Sequence, residues 1–294
     1  MTLQRRELGL FIAVVLLWGV NWPLMKMALA ELDFWVFRSY CVIAGLCWFV
    51  GYCVSRGVSL KLPREYWLRM GFCALCNVAA WNILSAAALR ALPSGRAGVL
   101  AYTMPLWVVL LSRFFLGEAL TATRVAALSI GMGGIGLLLI DEMNALRGAP
   151  VAALMMVASG LLWAVGIVLF KGFPKSLPTA TLMVWSLVLG GWPLLAGLAM
   201  FGHGPWLPSG AAAWTGLLFN VTVVFGFCWF AWNELVRALP AQITGISSLA
   251  VPIVGFASGM LLLGERPRPF DYLALVAIVA AVALVLKPQK SPLA

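Results

Sequence analysis

The residues of this chain that could do chemistry are few, and most of them sit among tryptophans. Within residues 8–29, Trp18, Asn21, Trp22 and Met25 recur at helical spacing and so share one face. Between residues 67 and 89, Asn77, Trp81 and Ser85 follow at every fourth position with Asn82 beside them. Farther on, Trp163 and then Asn220, Thr222, Trp229, Trp232 and Asn233 bring the same residue types at less regular spacing. Amides, hydroxyls and indoles bind and orient a ligand; they supply neither a nucleophile–base pair nor a metal cluster. His203 is the single histidine and falls in a predicted loop, and all ten acidic residues lie in loops or at the ends of apolar segments. An enzyme working inside a membrane would need more than that, so catalysis is disfavoured. What these residues can do is recognise a small molecule in a pocket.

Two short motifs invite other readings. Cys73 and Cys76 form C-x-x-C, but inside an apolar segment and without a second pair, so they are expected to pack, and neither a metal nor a cofactor is expected. Gly131, Gly133, Gly134 and Gly136 spell G-x-G-x-x-G, yet no strand precedes them and no acidic residue follows at the expected distance. Close packing of helices is the expectation there.

The elements that must carry these residues are set by composition. With 63% apolar residues, 10% charged residues and a mean hydropathy of +1.00, an ordinary soluble domain is excluded. A helix needs about 20 apolar residues to cross the hydrocarbon. Ten such segments are present, at 8–29, 32–54, 67–89, 94–116, 121–140, 151–170, 179–201, 211–233, 242–263 and 270–286. The fold class is therefore all-α integral membrane, with ten transmembrane helices. The net charge of +10 needs no nucleic acid to explain it. With the N-terminus taken as cytoplasmic, thirteen basic residues face that side and seven the other, which predicts both termini in the cytoplasm.

The chain also repeats itself. The stretch Ala91–Glu118, ALPSGRAGVLAYTMPLWVVLLSRFFLGE, returns 147 residues later as ALPAQITGISSLAVPIVGFASGMLLLGE, with Pro93/Pro240, Gly98/Gly245, Pro105/Pro252 and Gly117/Gly264 in register. WGVNWPLMK at 18–26 matches WAVGIVLFK at 163–171, although Asn21 and Pro23 have no counterpart. Two repeats follow, 1–145 and 146–294, each of five spans. Five is odd, so the second enters from the opposite side and the halves are inverted about an axis in the membrane plane. Such symmetry suits alternating access. Pro105 and Pro252 fall in mid-span and each leaves a carbonyl without a donor, which is tolerated at membrane depth only beside protein or a wet cavity. Together with Gly98 and Gly245 they are the expected bends and gates, and Tyr102 and Ser248 share their faces.

With no acid in mid-span, and with Arg38 assigned to Glu31, Asp33 or the interface, the central cavity is expected to be uncharged. Its expected lining is Trp18, Asn21, Trp22, Asn77, Trp81, Asn82, Tyr102, Trp163, Trp229 and Ser248. An amino-acid zwitterion suits such a pocket; hydrophobic or cationic drugs are the alternative.

WGVNWPLMK in the first span, and ALPSGRAGVLAYTMPLW…LGE and ALPAQITGISSLAVPI…LLGE in the fourth and ninth, resemble the EamA-type transporters of the drug/metabolite transporter superfamily. The resemblance covers nearly the whole chain and is similar in kind to bacterial amino-acid exporters, aromatic amino-acid exporters among them. It implies a multi-pass exporter of the bacterial inner membrane, whose partners are a small-molecule substrate and membrane lipid, with no nucleic acid and with a monomer or weak oligomer as the unit. It implies a cavity lined mainly by spans one, three, four, six, eight and nine, and it implies that Gly117/Glu118 and Gly264/Glu265 end helices.

Overall fold

Ten apolar segments become ten helical spans. The computed structural model describes residues 5–101, 103–115, 122–144, 149–238 and 241–286; the side chains of 241–250, of Pro252 and of some other helical positions lie outside that description. The spans are α1 (Arg5–Leu29), α2 (Phe34–Ser55), α3 (Arg64–Leu89), α4 (Ser94–Phe115), α5 (Ala122–Asn144), α6 (Pro150–Lys171), α7 (Thr179–Phe201), α8 (Ala211–Ala238), α9 (Ala241–Leu263) and α10 (Pro269–Leu286). Seven of them are long and apolar enough to cross a membrane on their described residues alone. The other three, α5, α9 and α10, run for 23, 23 and 18 residues. At about 1.5 Å per residue, even 18 residues span roughly 27 Å. No strand occurs among the described residues. The protein is an all-α integral membrane protein of two five-helix repeats.

Local signals set the boundaries. Asp33 caps α2 by accepting from the Trp35 backbone N–H at 2.9 Å. Pro150 opens α6 in the first turn, where its missing N–H costs nothing. α9 stops at Gly264, whose φ of 63° only glycine adopts readily, and its N–H bonds the Met260 carbonyl.

Packing follows the repeat. α1 lies against α8 and α9, and its counterpart α6 lies against α3 and α4. α2 pairs with α7, and α5 pairs with α10. Exchanging the halves turns the α1 pairings into the α6 pairings and maps α2–α7 and α5–α10 onto themselves. Between α5 and α10 the glycine run does half of what was expected: Gly134 meets Ala274 and Ala277, and Gly131 meets Leu106 of α4, whereas Gly133 and Gly136 face away from protein. Cys73 and Cys76 are buried free thiols, with the Cys73 Sγ 3.4 Å from the Gly166 carbonyl.

Three spans depart from regular helix. α4 is interrupted between Ala101 and Met104, with Thr103 in a turn. α3 widens to a π-helix over Leu75–Ala80, and α8 does so over Asn220–Cys228. Shifted by the same 147 residues that relate the repeats, the first π stretch falls inside the second. π segments of this kind cluster at functional sites. α1, by contrast, runs unbroken through Pro23. The Gly19 carbonyl that Pro23 cannot bond is covered by α9, whose Ser258 hydroxyl lies 3.4 Å away.

Candidate functional site

The interruption of α4 and the π stretch of α8 border a cavity of about 50 Å³ between the two halves. Its walls come from α1 (Trp18, Asn21, Trp22, Met25), α2 (Arg38), α3 (Trp81, Asn82, Ser85), α4 (Ala101, Met104), α6 (Trp163) and α8 (Val224, Phe225, Trp229). The volume is room for a few waters.

Indoles form the apolar wall. Trp163 stands at the centre, its ring 4.6 Å from Trp81, 5.7 Å from Trp229 and 6.1 Å from Trp18. Trp18 in turn lies 5.3 Å from Trp232, and Phe225 stacks on Trp229 at 4.9 Å. These are the separations at which aromatic rings attract beyond simple burial.

The polar wall is unsatisfied. Among the described side chains nine buried polar atoms have no hydrogen-bond partner, and five of them belong to residues of this one cavity: Asn21 Oδ1, Arg38 Nε, Asn82 Oδ1, Ser85 Oγ and Trp163 Nε1. An unmet buried group costs about 1–3 kcal/mol, so five in one place is a concentration that a ligand relieves. Backbone geometry explains the acceptors. Asn82 donates its amide to the Val78 carbonyl one turn back at 2.7 Å, and Asn220 and Asn233 do the same to Gly216 and Trp229, each at 2.9 Å. A carbonyl accepts only from N–H, so the Asn82 nitrogen faces the helix and its oxygen is left over.

Arg38 corrects the expectation of an uncharged cavity. It is 3% exposed and lines the cavity, and no carboxylate meets it among the described residues. Its Nη2 donates to Met25 Sδ at 2.8 Å, and the Cys41 thiol lies beside it, both neutral acceptors. The acids it was assigned to are engaged elsewhere. Glu31 accepts from the Ser209 and Gly210 N–H groups at 2.7 and 3.0 Å, bonds that hold its carboxyl below the ordinary value, the Gly210 bond contributing most. Asp33 caps α2. The cavity therefore carries one guanidinium; five of the six expected spans line it, α2 is added, and no described residue of α9 is among its walls.

Of the residues singled out in the sequence, Trp18, Asn21, Trp22, Trp81, Asn82, Trp163 and Trp229 meet here. Asn77 does not. It lines a smaller neighbouring cavity with Trp232 and Asn233, and Trp163 and Trp229 form the wall between the two. Asn77 sits within the π-helical stretch, which turns it away from the fourfold spacing it shares with Trp81. Its side chain occupies the space over Gly166, the residue matching Asn21 in the second repeat, where a methyl group would overlap it. Tyr102 lies outside the described residues, and so do the side chains of Gly245, Ser248 and Pro252. Gly98 packs on the Trp22 indole with space for a methyl at 3.6 Å. Pro105 is the second residue of the helix Met104–Phe115, after the interruption, where proline fits without breaking a bond. Gly160 of α6 meets that interruption so closely that a Cβ would stand 2.9 Å from the Ala101 carbonyl. Ser85, Met25 and Arg38 were not among the expected lining. Helical spacing marks the first two; for Arg38 the signal is a cation inside an apolar span whose nearest acids also stand at helix ends.

One end of the bundle is tied by ions. Glu265, past the end of α9, accepts from Lys26 Nζ of α1 at 2.7 Å and from the N–H and hydroxyl of Ser94 at the start of α4, at 2.9 and 2.6 Å. Burial alone would raise its carboxyl, but Lys26 and Ser94 outweigh burial and hold it low. Nearby Arg96, 1% exposed, bonds Asp271 at 2.7 Å. So Glu265 does more than end its own helix: it caps another. Glu118, its counterpart, lies outside the described residues.

Comparison with known proteins places this arrangement. The EamA-like transporter family matches residues 5–140 and again 150–287. The chain is 24% identical to the "Probable amino-acid metabolite efflux pump" of Escherichia coli, covering 95% of this chain and 94% of that protein. It is 28% identical to the "Riboflavin transporter" of Rhizobium johnstonii, covering 77% and 71%. It is 25% identical to the "Aromatic amino acid exporter YddG" of Ancylobacter novellus, covering 79% and 81%. A crystal structure titled only "Crystal structure of protein" shares the fold with a TM-score of 0.70 at 21% identity, over 95% of this chain and 96% of that one. A doubled family match over a doubled bundle makes the conclusion plain: the chain belongs to the EamA-like transporter family, and is a multi-pass membrane transporter of small molecules.

Proposed function

We propose that this protein exports amino acids, aromatic and other neutral ones foremost, by alternating access through the central cavity. The observation that carries the reading is the meeting of five unpartnered polar atoms with a cluster of indoles in one small chamber. Acceptors (Asn21, Asn82) and donors (Arg38, Trp163) suit the two charged ends of a zwitterion, and the indoles suit a flat side chain. The proposed substrate contacts are Trp18, Asn21, Trp22, Trp81, Asn82, Trp163 and Trp229, with Asn77 in the adjoining cavity; Tyr102 and Ser248 stay proposals from the sequence. Two relatives whose names specify amino-acid export support the assignment. A buried guanidinium disfavours cationic drugs, which it would repel.

The repeats 1–145 and 146–294 would rock about the cavity, with Pro105, Pro252, Gly98 and Gly245 shaping the gates. Placement in the bacterial inner membrane with both termini cytoplasmic completes the reading. Arg38 and Arg96, counted on the far side in the sequence, are buried, and removing them from the loop tally strengthens the basic bias toward the cytoplasm. Transport by a single chain, without chemical change to the substrate, is part of the same reading.

Purified protein in liposomes preloaded with one amino acid should take up labelled L-phenylalanine or L-tryptophan by counterflow, without ATP. Absence of counterflow for all twenty amino acids, in liposomes where the protein is folded, would overturn the substrate assignment.

A further inference from the structure

We infer that Arg38 is the anion-recognition residue of the central site, and that the substrates of this carrier bear one carboxylate that its guanidinium binds. The inference deepens the proposed amino-acid export and rests on it for the location of the site, but it names a chemical requirement of its own.

Three observations carry it. Arg38 is 3% exposed, lines the cavity, and its Nε has no partner. The groups that do touch it, Met25 Sδ, the Cys41 thiol and the Phe37 ring with its centroid 5.2 Å from the guanidinium carbon, are all neutral and leave the charge without a counter-ion. And the described acids near it in sequence, Glu31 and Asp33, are held by other groups. A buried cation without a counter-ion is costly, and the group that offsets it has to come from outside the protein. A guanidinium is planar and presents its N–H groups as a fork that fits a carboxylate, so a carboxylate is the group it is shaped for.

The number of charges sets the class. A phosphate monoester brings close to two negative charges at neutral pH, and a single guanidinium would leave the excess in a dry chamber. One carboxylate matches one arginine. The unpaired oxygens of Asn21 and Asn82 in the same cavity can then accept from a substrate ammonium, which makes an α-amino acid better than a simple acid. Decarboxylated amines offer the guanidinium no acceptor, and amides keep one neutral carbonyl oxygen but lose the negative charge and the second oxygen.

The test uses four probes of one shape: L-phenylalanine, L-phenylalaninamide, phenethylamine and 3-phenylpropionate. Binding to the purified full-length protein is read from quenching of its tryptophan fluorescence, and transport from competition in the counterflow assay. The expected order is phenylalanine, then 3-phenylpropionate, with the two carboxylate-free probes weaker than phenylalanine by about a hundredfold, the scale on which a buried charged partner is lost. Arg38→Met should abolish the preference for phenylalanine over its amide, weakening phenylalanine while the amide, a cation freed from the guanidinium's repulsion, holds or tightens, and Arg38→Lys should keep part of the preference. A purely structural arginine would weaken all four probes together. Equal binding of phenylalanine and phenylalaninamide by the unaltered protein overturns the inference whatever the variants do, so a misfolded variant does not rescue it. If 3-phenylpropionate binds and phenethylamine does not, yet no amino acid exchanges, the carboxylate rule stands and the amino-acid assignment falls.

Discussion

Trp163 is where the chemistry of single residues concentrates. Its indole touches three other indoles and divides the two cavities, while its Nε1 has no partner. Ring and N–H therefore separate by mutation. Trp163→Phe keeps the aromatic contacts and removes the donor, and is expected to raise KM for counterflow about tenfold, the value of roughly one hydrogen bond to a charged group, with the melting temperature unchanged. Trp163→Ala also empties the wall and is expected to cost about 3–5 kcal/mol of stability, measured as a fall in melting temperature in the same detergent. At this scale the sequence was legible where spacing speaks. Trp18, Asn21 and Trp22 share a face in any helix. Arg38 was hidden because a buried, unpaired cation is the arrangement that physical reasoning assigns last, and two acids stood close enough in sequence to claim it.

At the scale of elements, function rests on places where helices stop being regular. The interruption of α4 leaves Ala101 and Thr103 facing Gly160, and Pro105, which has no N–H, could not donate to the Ala101 carbonyl if the two half-helices were continuous. Pro105→Ala restores that donor and lets the two half-helices join. Turnover in counterflow is expected to drop about tenfold while folded yield, read from gel filtration, holds steady or rises, a modest energy of hinge deformation in rate terms. Equal loss of yield and turnover would show that the proline is structural only. Gly160→Ala attacks the same contact from the other side: its methyl would press on the Ala101 carbonyl and push α6 off α4, lowering the melting temperature. Helix existence and limits were legible in the chain, because apolar runs and Pro/Gly boundaries are local. The π-helical stretches were not. Nothing in LCNVAA or NVTVVFGFC demands an extra residue per turn; neighbouring helices select it, and it rotates Asn77 out of the stripe it belongs to by spacing.

For the whole molecule, the halves share a frame but not a lining. Asn21 has Gly166 in its matching place, and Asn77 of α3 fills the room that glycine leaves. The ionic tie among α1, α4 and α9 closes one end of the bundle through Glu265. Its pH dependence follows from the lowered carboxyl. A carboxylate held below its ordinary 4.5 stabilises the fold fully above that value, and the contribution is lost as pH falls through the lower, folded-state value. Melting temperature is expected to be flat from neutral pH down to about 5 and to drop below that, and Glu265→Gln is expected to flatten the acid limb. Because Lys26 is a third exposed, the loss at neutral pH should be near 1 kcal/mol. Asp271→Ala, which breaks the buried ion pair with Arg96, should cost more, about 3 kcal/mol, in the same melts.

The two widened turns have a history written into them. A π turn is one residue gained within a helix, and here the gain sits at the same register in both halves. The match in register stands beside the sequence repeat and the paired packing as a third sign that the halves are copies of one five-span unit. Arg38 breaks the match. α2 and α7 begin in step, at Phe34 and Thr179, and count forward to Arg38 in one and Met183 in the other. A chamber framed by matched halves is thus one-sided, its only described cation supplied by the first of them.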